Sequence, residues 1–236
     1  DYPQLAQNLI DWIQEVDTSR PVTIGDNKRS TGDDTPGKVM EVVAQENGIV
    51  GFNYANEQQI AAGHEKGWKM YGSETASAVN SRGVYTYTGS GKQEDGTFQG
   101  VTQTNDQLLT AYDRSRVGWG AVASDAWWRT IRHDYNAGEF IWTGFDYLGE
   151  PTPWNGTSPG SATNDFGVAP KSSYFGIIDT TGFPKDSYYL YQSLWNNKIN
   201  TLHILPTWNE ADVQKDENGK VEVVVYSDAP VIKLYL

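Results

Sequence analysis

Glu74, Tyr54 and Trp142 are side chains whose types suit one another for chemistry on a sugar. A carboxylate can attack an anomeric carbon, a phenol can donate a hydrogen bond that orients it, and an indole offers a flat apolar floor to a pyranose. They occur in three runs: Asn53-Tyr54, then Tyr71-Gly72-Ser73-Glu74-Thr75-Ala76-Ser77, then Gly138-Glu139-Phe140-Ile141-Trp142-Thr143-Gly144-Phe145-Asp146. Asn53 and Asp146 are candidates for binding hydroxyls, and Asp26 and Asn27 are further ones. By pattern alone each acid also reads as a solvated loop carboxylate, and Asn53 and Asp146 read equally as loop caps.

These residues need elements that hold them at one edge. Leu5, Leu9, Trp12, Ile13 and Val16 recur at helical spacing, which predicts an amphipathic helix over 1–16 with Pro3 in its first turn. Short apolar runs at 22–24, 49–54, 68–71 and 140–145 read as buried strands. Each ends in polar or acidic residues, respectively Asp26-Asn27, Asn53-Tyr54, Ser73-Glu74 and Asp146. Segments 37–46, 57–66 and 121–136 between them can form helices. Alternating strands and helices predict an α/β fold with a parallel sheet, and polar strand ends fit a barrel that works at the C-terminal ends of its strands. Four such units are visible where a closed barrel needs eight. After an aromatic helix at 188–195, runs at 221–226 and 231–236 around Ser227-Asp228-Ala229-Pro230 read as strands of a second, all-β domain that is cut short. Two Gly/Ser/Thr-rich stretches, 89–100 and 155–163, read as loops.

Composition narrows the function. The net charge of −12 opposes a nucleic-acid partner. There is no apolar run of membrane-spanning length and no basic leader. The absence of cysteine excludes disulfides and thiolate metal sites. His64, His133 and His203 lack ligand spacing, so a zinc site is not expected. The 9 Trp, 14 Tyr and 7 Phe suit sugar stacking and core filling alike. Trp127-Trp128 is read as packing.

The order of these segments resembles glycoside hydrolase family 2, and the wording around Glu74 and Trp142 is similar to its bacterial β-galactosidases. The resemblance runs through Ser19-Arg20-Pro21-Val22-Thr23, Gly51-Phe52-Asn53-Tyr54, the Glu74 and Trp142 runs, Ser173-Tyr174-Phe175-Gly176-Ile177-Ile178-Asp179 and Leu205-Pro206-Thr207-Trp208-Asn209. It implies the C-terminal half of a (β/α)8 TIM barrel over 1–200, followed at 201–236 by the start of an immunoglobulin-like β-sandwich. It further implies a retaining hydrolase of terminal β-D-galactosides, with Glu74 as nucleophile, Tyr54 bonded to it, Trp142 as sugar platform, and Asn53 and Asp146 near the hydroxyls. The family's acid/base follows an Asn at the end of the fourth strand, which is expected upstream of Asp1; Glu139 or Glu150 would be substitutes. A β-glucuronidase, a β-mannosidase or a non-catalytic carbohydrate-binding fragment are the alternatives. The implied partner is a β-galactoside or oligosaccharide. No organic cofactor is implied for this segment, while Mg or Na ions and homo-oligomers are implied for a full-length enzyme. The acidic, Gly/Ser/Thr-rich loops lean toward an extracellular or cell-surface setting in a bacterium, with the cytoplasm as alternative.

Overall fold

A computed structural model describes residues 1–85, 101–103, 108–150, 152, 172–210 and 213–235. The loops expected at 89–100 and 155–163 lie outside the described residues. The chain divides into two compact units, Asp1–Ala76 with Asp125–Ile141, and Ser77–Ser124 with Trp142–Leu236. The boundary expected near residue 200 falls inside the second unit.

Three helices and the strands between them open the first unit: α1 (Tyr2–Val16), β1 (Thr23–Asp26), α2 (Thr35–Gln45), β2 (Ile49–Asn53), α3 (Glu57–Glu65) and β3 (Met70–Ala76). Later come α4 (Ala123–Ile131) and β6 (Asn136–Trp142). Local chemistry starts α2 and α3. Asp34 caps α2 by accepting from Gly37 N at 3.0 Å, and Asn56 with Gln59 forms a reciprocal capping box on α3. The sheet runs in the order β1-β2-β3-β6, with β1, β2 and β3 parallel.

One face of that sheet carries the core. Val50, Phe52 and Met70 pack with Met40, Val43 and Ile60 from the helices and with Ile10 and Trp68. Burial of such side chains contributes roughly 1.5–3 kcal/mol each. The opposite face bears Gly25, Gly51 and Ser73, with the Tyr71 ring beside them meeting Phe140 edge to face at 5.8 Å. In α1 the inward residues are Ala6 and Ile10. The apolar stripe of Leu5, Leu9, Trp12, Ile13 and Val16 is exposed, because α1 meets α2 along the neighbouring i, i+4 line.

The fourth strand occupies 136–142 rather than 140–145, and the helix before it ends at Ile131. His133 to Tyr135 form the turn, where Tyr135 stacks on both His64 and His133.

The second unit holds a short pair, β4 (Val101–Gln103) with β5 (Leu108–Leu109), then α5 (Asp186–Trp195) and the antiparallel pair β7 (Leu202–Leu205) with β8 (Val224–Ser227). Val79, Leu109, Val117 and Phe175 form its core cluster. The hairpin is fastened to α5 by His203 Nε2 on Asp186 Oδ1 at 2.7 Å and by Tyr189 stacked on His203. Residues 231–235, expected as a strand, are irregular; the β8 segment instead pairs with 202–205, a run whose strand character the sequence reading did not mark.

Candidate active site

A β-bulge aims Glu74. In β2, Gly51 and Phe52 lie opposite Tyr71 and Gly72, but Asn53 lies opposite Glu74, so Ser73 is an extra residue in β3. Side chains on a strand alternate faces, and an inserted residue reverses the alternation beyond it. Phe52 and Met70 mark the helix-covered face, so Gly72 belongs to it and Tyr71 and Ser73 to the other. After the bulge Glu74 shares the open face with Ser73 and Asn53. Thr75 returns to the helix side: a Cβ on Gly72 would meet Thr75 Cγ2 at 2.5 Å and Glu139 Cβ at 3.4 Å.

The open face is fitted around that turn. Ser73 Oγ donates to Asn53 Oδ1 at 2.7 Å, and Asn53 Nδ2 donates to Asn27 Oδ1 at 2.7 Å. Ser73 requires the bare backbone beneath it, since a Cβ on Gly51 would lie 2.8 Å from its hydroxyl. Asn53 is thus buried and engaged at both ends of its amide, as a strut beneath the site. Asp26 accepts from Lys28 N at 2.8 Å and Ser30 N at 3.0 Å, which makes it a loop cap.

Tyr54 reaches Glu74 from the end of β2. Its hydroxyl donates to Glu74 Oε2 at 2.6 Å, and its backbone N–H donates to the Glu74 carbonyl at 2.7 Å. Among the described residues Tyr54 is the side chain bonded to this half-buried carboxylate. The chain leaves both partners through left-handed backbone: φ is 60° at Tyr54, 62° at Ala76 and 52° at Ser77. For residues bearing a Cβ that conformation costs about 1–2 kcal/mol each, and such costs cluster at functional sites.

Trp142 and Asp146 belong to the second unit. Trp142 Nε1 donates to Tyr147 Oη at 3.1 Å, and that hydroxyl donates to Glu150, so the indole is oriented by a short relay. The two rings meet edge to face at 5.8 Å. Asp146 is embedded. Its Oδ2 lies 2.7 Å from Lys185 Nζ, with side chains 8% and 2% exposed respectively, and its Oδ1 accepts from Gly176 N at 2.7 Å. Lys185 also donates to the Asn80 carbonyl at 2.8 Å and more weakly to that of Tyr174. Burial pushes the Asp146 carboxyl up and the Lys185 ammonium down, and their mutual attraction opposes both shifts. The sequence reading did not pair these two. No local signal marks the pair, because Lys185 is followed by Asp186 and Ser187 as an ordinary helix start would be.

Glu139, weighed as a substitute acid, sits on the helix-covered face of β6. There it accepts from Thr75 Oγ1 at 2.8 Å and Thr130 Oγ1 at 3.0 Å, and burial raises its carboxyl above the usual range. It therefore does not share a face with Glu74. Among the described residues no group of three or more His, Asp or Glu is placed to hold a metal ion, and no helix is long and apolar enough to cross a membrane.

No family model matches the chain. It is 33% identical over 214 residues to the beta-galactosidase BoGH2A of Bacteroides ovatus, a match that covers 87% of this chain and 22% of that protein. A Formosa agariphila protein provisionally named a beta-glucuronidase is 30% identical over 145 residues, 59% of this chain and 12% of its own. A solved beta-glycosidase from Bacteroides vulgatus superposes with a TM-score of 0.65 at 25% identity, over 96% of this chain and 28% of that one. The chain thus spans about a fifth of the first of these curated relatives and less of the second. Its homologues are glycosidases of the glycoside hydrolase family 2 type.

Proposed function

We propose that this chain forms part of a retaining family 2 glycoside hydrolase that removes terminal β-D-galactosyl groups, with Glu74 as its nucleophile. One observation carries the reading: the bulge turns Glu74 away from the helices and delivers its carboxylate to the Tyr54 hydroxyl. In the proposed reaction the Glu74 carboxylate bonds to the anomeric carbon as the bond to the leaving oxygen breaks, and that oxygen takes a proton from a general acid. Water, deprotonated by the same group, then attacks the anomeric carbon and frees Glu74. Tyr54 holds the attacking oxygen in line and withdraws charge from it as the carboxylate is released. Trp142 is the proposed platform for the sugar ring, with Tyr147 and Glu150 setting its plane. Asn53 and Asp146 act by positioning rather than by touching substrate.

The proton donor must lie roughly 5–5.5 Å from the nucleophile. Glu139 is on the opposite face and Glu150 is engaged by the Tyr147 hydroxyl, which favours a donor from outside these 236 residues. The open face of the sheet and the exposed stripe of α1 support reading 1–200 as part of a larger barrel, and the antiparallel pair β7 and β8 supports reading 201–236 as the start of a sandwich domain. No step is routed through a metal ion.

The β-galactosidase relative supports a galactoside substrate, and the relative provisionally named a beta-glucuronidase makes a glucuronide the alternative. The intact protein carrying this chain, given matched p-nitrophenyl β-galactoside and β-glucuronide, is expected to prefer the galactoside. Proton NMR should show β-galactose forming first. An α-anomer first would overturn the retaining mechanism, and preference for the glucuronide would overturn the sugar assignment.

A further inference from the structure

We propose that Glu139 is a positioning residue, which holds Thr75 on the helix side of the sheet and thereby fixes the bulge that turns Glu74 to the opposite face. The inference rests on the reading of Glu74 as nucleophile. With ordinary alternation along β3, Glu74 would point into the helix layer and Thr75 toward the open face. The bulge reverses the pair, and a bulge stays in place only where anchors define it. On the open face the anchors are Ser73 with Asn53 and Glu74 with Tyr54. On the helix face the Thr75 hydroxyl donates to Glu139 Oε2 and approaches the Phe140 carbonyl at 3.4 Å. Thr130 of α4 holds the same carboxylate oxygen from behind.

Packing alone does not account for a carboxyl at this position. Its second oxygen, Oε1, is buried with no hydrogen-bond partner among the described residues, a cost that native proteins rarely carry without return. Glu139 offers Thr75 a strong acceptor. It also makes the slipped register unfavourable, because there the Glu74 carboxylate would enter the layer that Glu139 already occupies. Gly72 leaves the room for Thr75 to fold back toward Glu139.

The test uses the intact protein with Thr75→Val, Glu139→Leu, their combination, and the conservative Thr75→Ser and Glu139→Gln. Covalent titration with a 2-deoxy-2-fluoro-galactosyl reagent counts competent sites, so misfolded molecules drop out of kcat. Thr75→Val and Glu139→Leu are each expected to lower kcat per titrated site by about tenfold to a hundredfold with little change in KM. The double variant should be no worse than either single, while Thr75→Ser and Glu139→Gln should recover most of the loss. Unchanged kcat per site in both single variants, or losses that multiply, would overturn the positioning role. A wild type that turns over galactoside without labelling Glu74 would instead overturn the nucleophile reading beneath it.

Discussion

Glu74 and Asp146 are both acids at the polar end of an apolar strand-like run, yet their surroundings differ in kind. Asp146 has both carboxylate oxygens occupied, one by Lys185 and one by a backbone N–H, and its side chain is 8% exposed. Glu74 is half-buried, with a phenol on one oxygen, and its backbone is bent to present it. A carboxylate buried against its own cation and bonded at both oxygens stabilises a fold and is shielded from a substrate. Nucleophilic chemistry needs one that is held but left reactive. Two features separate the cases, the cation that balances Asp146 and the bulge that re-aims Glu74.

The contrast breaks most sharply by substitution. Glu74→Gln is expected to lower kcat by on the order of 10⁴- to 10⁶-fold, the scale of losing a covalent nucleophile, with no fall in melting temperature. Lys185→Met should do the reverse, costing roughly 3–5 kcal/mol in urea unfolding because Asp146 is left buried and uncompensated. Adding Asp146→Leu to Lys185→Met should return most of that stability; failure to do so would mean that the pair is more than a structural strut.

Tyr54→Phe removes one donor from the nucleophile and is expected to cost about 10²-fold in kcat with stability retained. Ala76→Gly relieves left-handed backbone beside the site and should raise stability by up to about 1 kcal/mol, read from the urea midpoint. The smallest effect concerns Glu139. Its folded carboxyl is raised, so the folded state holds the proton more tightly than the unfolded chain does, and that contribution is full below the unfolded value of 4.5 and lost as pH rises through the folded one. Glu139→Gln should therefore melt slightly above the wild type at pH 7, with the gap closing as pH falls toward 4.5.

Much of the first unit was legible from residue order. Periodicity located α1, and the segments between strand-like runs located α2 and α3, each within a residue or two, because each has its own cap or proline at the start. Strands β1 to β3 followed from apolar runs ending in polar residues. Tyr54 and Glu74 were singled out by type and position, and the structure brings them within hydrogen-bond distance of each other. The bulge was not legible. Nothing in Tyr71-Gly72-Ser73-Glu74-Thr75 reveals an extra residue until β2 is laid beside it, and without it Glu74 points the wrong way. The Lys185 partner of Asp146 lies 39 positions along the chain, beyond any local pattern. The α1 stripe was read correctly as apolar and helical, but periodicity cannot say which neighbour a stripe will find.

The most direct test of Glu74 is chemical. The intact protein would be inactivated with a 2-deoxy-2-fluoro-β-galactosyl reagent, digested, and its labelled peptide sequenced by mass spectrometry. The account requires one galactosyl adduct, on Glu74, formed as activity is lost and released as it returns. An active protein whose adduct maps to another carboxylate, or which forms none, would contradict it.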